Sequence, residues 1–279
     1  MYIRGNRREN MSIKMIAVDM DGTFLNNEAK YNVERFRYIY SLLKERNIQF
    51  VIASGNPCRQ LQGFFEEWKD ELIFIAENGG YIVDKNEEIY EAYIDMSDAQ
   101  VIIDALKKMP EVLSWVCTKD QSYTLDTISD DYYEMFLPYF PGVKKVQDFS
   151  LVNHKLVKFA LYLPLKNVEE VIHYLKEVTG SQICVVDSGH YCVDLIPNHV
   201  NKGEAIKKLM KKYNLKKNEI MAFGDAYNDE AMLKVVQYGY AMENANDDFK
   251  NMFDYIAPNH NKEGVLEVIE NYLLTGKFL

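Results

Sequence analysis

The chain has 279 residues, of which 48% are apolar and 27% charged, with a formal net charge of -10. That length holds one large domain or two modest ones, and the composition is that of an ordinary globular protein, which excludes a disordered chain. The acidic balance excludes generic binding to nucleic acid or to an anionic membrane, because no basic excess is there to neutralise phosphates.

Four cysteines, Cys58, Cys117, Cys184 and Cys192, form no C-x-x-C pair and accompany no histidine cluster. A zinc site or a disulfide scaffold is not indicated, and reduced thiols in a cytoplasmic protein are expected. Residues 1–10 are polar and lack the apolar centre of a signal peptide, so they read as a disordered leader or an upstream start, with Met11 as the working beginning. No apolar run approaches the roughly 18 residues that a membrane span needs.

In chain order, the run Ile16, Ala17, Val18 predicts a buried parallel strand that stops at Asp19, Met20, Asp21, Gly22 and Thr23. Alternation along an extended segment lets Asp19 and Asp21 face one site while Met20 turns inward. A calcium loop counted from Asp19 would need glycine at Phe24 and glutamate at Lys30, and it has neither. Asn32 caps a helix carrying Val33, Phe36, Tyr40 and Leu43. Ile48 to Ala53 is the next strand and breaks at Ser54-Gly55-Asn56-Pro57, with Pro57 suited to the first turn of a helix carrying Leu61, Phe64 and Phe65. Leu72 to Ala76 makes a third strand. This alternation predicts a Rossmann-like parallel sheet with right-handed crossovers.

From Gly80 the rhythm changes. Gly80 to Asp84 and Glu88 to Ile94 read as a hairpin around Lys85-Asn86-Glu87, and Ser97 caps a helix through Lys108. Strands follow at Leu113 to Cys117 and Ser122 to Leu125, then a helical stretch near Tyr132 to Tyr139, a strand at Lys155 to Leu163, a helix carrying Val168, Val171, Ile172 and Leu175, and paired strands at Gln182 to Asp187 and Tyr191 to Ile196. The order fits an inserted α+β unit on an antiparallel sheet. The domain boundaries expected are residues 11–94 with 190–279 for the core, and 95–189 for the insert. Alternation returns with a helix from Asn201 to Tyr213, a strand from Glu219 to Gly224, and further elements at Asp229 to Val236, Tyr238 to Met242, Asp247 to Phe253, Tyr255 to Ala257 and Gly264 to Leu274.

Three stretches join the opening acids. Ser54 and Gly55 end a core strand, where a hydroxyl and backbone N–H groups can hold an anion. Lys202 sits in the first turn of a helix capped by Asn201, against the macrodipole, a placement that makes sense if both face an anion such as phosphate. Asp225 directly follows the strand ending Phe223-Gly224, with Asn228 and Asp229 just after it. Asp229 reads equally as a helix cap. Converging carboxylates repel unless they share a cation, and an all-oxygen donor set points to Mg²⁺.

D-M-D-G-T, then S-G, then a lysine opening a helix, then G-D-A-Y-N-D resemble the four motifs of haloacid dehalogenase-like phosphatases. The insert resembles the α/β cap of their Cof-type sugar-phosphate phosphatases. The resemblance covers nearly the whole chain after Met11. It implies that Asp19 is the nucleophile that accepts the phosphoryl group and Asp21 the general acid and then base. It implies phosphate binding by Ser54, Gly55, Lys202 and Asn228, and Mg²⁺ held by Asp19, the backbone carbonyl of Asp21, and Asp225. Relatives often carry arginine two residues after the serine, where this chain has Asn56.

The function expected is Mg²⁺-dependent hydrolysis of small phosphorylated metabolites, sugar phosphates foremost. A phosphomutase of the same superfamily and a non-catalytic phospho-ligand sensor are the alternatives. The oligomeric state is open, and a monomer suffices. Trp115, Tyr123, Tyr132, Tyr133, Phe136 and Tyr139 in the insert read as core before they read as a ring-stacking surface. His154, Lys155 and His190 are polar candidates there, and the insert is expected to close over substrate.

Overall fold

The computed structural model describes residues 13–152, 155–164, 167–189 and 191–279. His154, His190 and Met11 lie outside them.

The first part of the chain runs β1 (Met15–Val18), α1 (Val33–Glu45), β2 (Gln49–Ala53), α2 (Cys58–Phe64), β3 (Ile73–Ala76), β4 (Tyr81–Asp84) and β5 (Glu87–Glu91). The second runs α3 (Met96–Leu106), β6 (Leu113–Cys117), β7 (Ser122–Leu125), α4 (Asp130–Phe136), β8 (Lys144–Val146), β9 (Lys158–Tyr162), α5 (Val168–Thr179), β10 (Ile183–Gly189) and β11 (Cys192–Pro197). The third runs α6 (Lys202–Tyr213), β12 (Ile220–Gly224), α7 (Glu230–Val235), β13 (Tyr238–Met242), α8 (Asp247–Lys250), β14 (Tyr255–Ala257) and α9 (Gly264–Thr275).

Two sheets result. The larger has the order β14-β13-β12-β1-β2-β3-β4-β5, parallel from β14 to β3 and antiparallel at β4 and β5. Its strands are buried on both faces, as apolar runs without alternation require. Ile16 and Val18 of β1 join the core under α1 and α9, while Met15 and Ala17 join the core under α6 and α7. The smaller sheet has the order β10-β11-β9-β6-β7-β8 and is antiparallel except where β8 joins β7. One of its faces packs on α3 and α5, with Ile102, Phe159 and Leu175 fully buried.

Local rules explain most elements. Asn32 accepts from the Arg35 N–H at 3.0 Å and starts α1, the expected cap. The β4–β5 turn is tighter than expected: Lys85 and Asn86 alone make it, both at positive φ (51° and 70°), which matches the twist of a two-residue hairpin.

The departures also have causes. The helix expected from Ser97 begins at Met96, after Asp95, with no side-chain cap. The aromatic helix begins two residues earlier than expected because Ser129 accepts from the Tyr132 N–H at 3.4 Å and Asp130 and Asp131 suit the first turn. Strand β8 was not foreseen: Lys-Lys-Val at a sheet edge is two parts exposed charge and carries no periodic signal.

The boundary expected between residues 189 and 190 needs correction. It falls in the turn joining β10 to β11, and β11 pairs with both β10 and β9 in the smaller sheet. Hydrogen bonding therefore keeps the chain in that sheet until Pro197. The two crossing segments meet in a small apolar cluster of Ala92, Ile196 and Val200.

Trp115 is 2% exposed and stacks on Phe140 at 5.0 Å with Phe136 at 4.5 Å. It belongs to the core, while Tyr139 is exposed and Lys155 lies 4.2 Å over the Tyr93 ring. Replacing Trp115 with alanine is expected to cost about 3–5 kcal/mol, read as a lower urea midpoint at unchanged slope.

Candidate active site

Val18 lies opposite both Ile52 and Phe223. The residues that follow on these three strands therefore leave the sheet side by side at its carboxyl edge, where open α/β sheets bind ligands. They are Asp19 after β1, Ser54 after β2 and Asp225 after β12.

Past Asp19 the chain makes one wide turn, Met20–Phe24, closed by the Leu25 N–H donating to the Met20 carbonyl at 2.9 Å. Met20 is buried, as alternation required. Gly22 has a φ of +77°, and a Cβ there would come 2.4 Å from Asp225 Oδ2, so only glycine permits both the turn and the approach. Thr23 Oγ1 then donates to Asp225 Oδ1 at 3.0 Å. Asp21 is exposed and receives a hydrogen bond from Asn56 Nδ2 at 3.0 Å. The position where relatives carry arginine thus holds the Asp21 carboxylate in place.

Lys202 is fully buried, and its Nζ lies 2.6 Å from Asp19 Oδ1 and 2.6 Å from Asp229 Oδ1. Its helix is capped by Asn201, which accepts from the Glu204 N–H at 2.9 Å. The anions that offset its unfavourable place in the first turn are these two carboxylates. Burial alone would lower the Lys202 ammonium, but Asp19 and Asp229 outweigh it and hold it above its ordinary value.

Asp229 is more than a helix cap. It is fully buried, and its Oδ2 accepts from the Asp225 and Ala226 N–H groups at 3.1 and 3.2 Å. It does not cap α7 with its side chain. A Cβ on Gly224 would meet the Asp229 Cβ at 2.4 Å, so the glycine lets that carboxylate fold back under the loop.

Carboxylate oxygens of Asp19, Asp225 and Asp229 lie within 4.8 Å of one another. Three acids face one ammonium, and the excess charge shows. Burial and then Asp229 raise the Asp19 carboxyl well above its ordinary value against the pull of Lys202. Asp225 is pushed up to about 6, again by burial and then Asp229. An all-oxygen donor set of this charge fits a hard divalent cation. Both Asp229 oxygens are engaged, so Asp19 and Asp225 are the carboxylates left to face an ion, and the Asp21 carboxylate is not part of the cluster.

The phosphate candidates lie around this cluster. Ser54 is buried and its Oγ accepts from the Asn56 N–H at 3.1 Å, which takes one of the loop's backbone donors. Gly55 follows in the same loop. Asn228 reaches Asn78 Oδ1 at 3.4 Å, not the Lys202 cluster. Glu77 and Asn78 were not singled out for the site, and only the break of β3 at an acid, an amide and two glycines signalled them; Thr23 and Asn56 stood inside the motifs quoted for it without a contact assigned.

The parallel sheet with its acid-lined edge defines a Rossmann-like α/β protein whose site lies beyond the strand ends. The chain belongs to the haloacid dehalogenase-like hydrolases: the family model matches residues 16–269. It is of the Cof type and is a phosphoric monoester hydrolase. It is 36% identical over 263 residues to the 5-amino-6-(5-phospho-D-ribitylamino)uracil phosphatase YbjI of Escherichia coli, covering 94% of this chain and 97% of that one. It is 26% identical to the Bacillus subtilis phosphatase YcsE, named for the same compound, over 96% and 99% of the two chains. The crystal structure of SMU.1108c from Streptococcus mutans superposes with a TM-score of 0.89 at 35% identity, covering 95% of this chain and all of that one. No helix among the described residues is long and apolar enough to cross a membrane.

The raised carboxyl of Asp225 gives a pH signature. The folded protein holds this proton more tightly than the unfolded chain, whose aspartates titrate near 3.9. In metal-free protein the group's contribution to stability is therefore present below about pH 4 and lost as the pH rises through about 6. Protons and a cation compete for the same oxygens, so the rise in Tm on adding Mg²⁺ should be larger at pH 8 than at pH 5. Equal shifts at both, by differential scanning calorimetry, would contradict it.

Proposed function

We propose that this protein is a Mg²⁺-dependent phosphatase of small phosphorylated metabolites, acting on phosphate esters of sugars or sugar alcohols through an aspartyl-phosphate. The observation that carries this reading is the buried Asp19 at the end of β1, bonded to Lys202 at 2.6 Å and facing Asp225.

In the reaction, an Asp19 carboxylate oxygen attacks phosphorus as the bond to the ester oxygen breaks. The Asp21 carboxyl gives its proton to that oxygen, so the alcohol leaves neutral. Water then attacks the phosphorus of the acyl phosphate and loses a proton to Asp21, which releases inorganic phosphate and restores both acids. Asn56 keeps Asp21 oriented for both transfers. Lys202 and Ser54 offset charge on the phosphoryl oxygens, and because they are already fixed, reorganisation costs little. Asp19, Asp225 and the Asp21 carbonyl would hold Mg²⁺, which when bound neutralises the acids and the phosphoryl oxygens.

Two considerations support the substrate class. Relatives at 36% and 26% identity are named for a phosphoribitylamino compound, the phosphate ester of a polyol chain. A cavity of about 240 Å³ that starts at Pro57, beside the Ser54 loop, carries Arg59, Gln60 and Lys119 as well as Tyr139 and Phe140 on its walls, which leaves room for the remainder of a small ester with both polar and apolar parts.

The test is a panel of phosphate monoesters, including sugar phosphates and 5-amino-6-(5-phospho-D-ribitylamino)uracil, assayed for phosphate release with and without Mg²⁺. Release that needs Mg²⁺ is expected; none from any monoester would overturn the reading. Asp19→Asn should abolish turnover. It should also melt no lower than wild type in metal-free buffer, since it removes a buried charge that Asp229 repels while keeping an acceptor for Lys202.

A further inference from the structure

A second fully engaged lysine lies where the two sheets meet. Lys158, the first residue of β9, is 5% exposed. Its Nζ is 2.8 Å from Glu77 Oε2, 3.8 Å from Asp194 Oδ1, and donates to the Gly55 carbonyl at 3.1 Å. Burial alone would lower this ammonium, but Asp194 and Glu77 outweigh it and hold it above the ordinary lysine value. A buried ion pair is rarely kept for stability alone, since apolar residues of similar size commonly do as well.

What Lys158 touches gives the reason. The three carbonyls of Ser54, Gly55 and Asn56 all accept hydrogen bonds, from the Asn78 N–H at 3.0 Å, Lys158 Nζ at 3.1 Å and the Glu77 N–H at 3.2 Å. Two of these donors come from the core loop after β3, and the middle one crosses from the smaller sheet. A trans peptide is planar, with its C=O and N–H pointing opposite ways. Holding the Gly55 carbonyl therefore aims the Asn56 N–H of the same peptide in the other direction, where it donates to Ser54 Oγ at 3.1 Å. The orientation of the serine hydroxyl is thus tied, through one peptide plane, to a lysine on the other sheet.

The core side of the contact is held in an uncommon backbone conformation. Glu77 has a φ of +52° and Asn78 of +54°, a region asparagine tolerates but glutamate seldom adopts. In that conformation Glu77 meets Lys158, and Asn78 spans from Asp194 Oδ2 at 3.5 Å to Asn228 at 3.4 Å. Such strain persists where surrounding contacts demand it.

We propose that Lys158 is a positioning residue for phosphoryl transfer: by holding the Gly55 carbonyl and pairing with Glu77, it sets the Ser54 hydroxyl, so the smaller sheet controls the geometry of the phosphate loop. The inference rests on the phosphatase reading for its kinetic consequence but not for its structural one. Lys158 Nζ is held by the Gly55 carbonyl, Glu77 and Asp194, so its proposed effect runs through the Ser54 loop.

The experiment pairs hydrogen exchange with kinetics on the full-length chain, comparing wild type with Lys158→Met and Lys158→Arg. In Lys158→Met, amides of residues 54–56, 58 and 77–80 should exchange faster without any ligand, while those of β6 keep their protection. Its kcat should fall by about 10²-fold, the scale of a small misplacement of a reacting group, and inorganic phosphate should inhibit more weakly. Lys158→Arg should recover part of both. Unchanged exchange in the Ser54 loop, or unchanged kcat and phosphate inhibition in a wild type that turns over, would overturn the inference, as would a uniform rise in exchange across the smaller sheet at unaltered kcat. If Lys158→Met does not fold, Glu77→Gln, which keeps an acceptor but removes the charge, decides by the same readings. A wild type that hydrolyses no monoester defeats the phosphatase reading and leaves the exchange result to judge this one.

Discussion

The whole catalytic edge depends on one buried ammonium held between two carboxylates. Lys202 reaches Asp19 and Asp229 at equal distance, and none of the three groups meets bulk water to any extent. In a medium of low polarizability such a cluster is tolerable only when every charge has a partner at close range. With Asp225 added the acids outnumber the base, and the imbalance appears as raised carboxyl pKa values at Asp19 and Asp225. The same imbalance makes the site receptive to a cation.

The sheet order is what allows that cluster to exist. Because β1 lies between β2 and β12, the ends of three strands distant in sequence open beside one another. Two glycines then remove the obstacles to close approach: Gly22 beneath Asp225, and Gly224 beneath Asp229. Packing on both faces of the sheet keeps the strand ends from shifting, so the acids are presented by a rigid frame.

Two lysines thus hold the site from two directions. Lys202, from the first turn of α6, holds Asp19 and Asp229, and Lys158, from the start of β9, bears on the Ser54 loop. Both are buried and each faces two carboxylates. They differ in origin: one comes from the core, the other from the inserted sheet, whose own cores around Phe159 and Trp115 are separate. Beside the small apolar cluster of Ala92, Ile196 and Val200, the contact that ties that sheet to the Ser54 loop is polar.

Much of this was legible in the sequence. Apolar runs ending in acids or Ser-Gly marked β1, β2 and β12, the capping pattern at Asn201 marked α6, and these local signals survive folding because burial on both sides of a parallel sheet demands them. Asp19, Lys202 and Asp225 could be singled out for the same reason: charges at the end of an apolar strand or at the wrong end of a helix need partners. What the partners are, only the tertiary structure decided. Asp229 read equally as a cap or a site acid, and it folds back onto both Lys202 and the loop amides; Asn56 looked like a lost arginine and instead holds Asp21; and Lys158, indistinguishable in the sequence from the lysines around it, reaches a carbonyl more than a hundred positions away. Periodicity and capping are properties of neighbouring residues, whereas contacts between strand ends are set by sheet order and by where a glycine lets two segments meet, and neither is written in any local stretch of the chain.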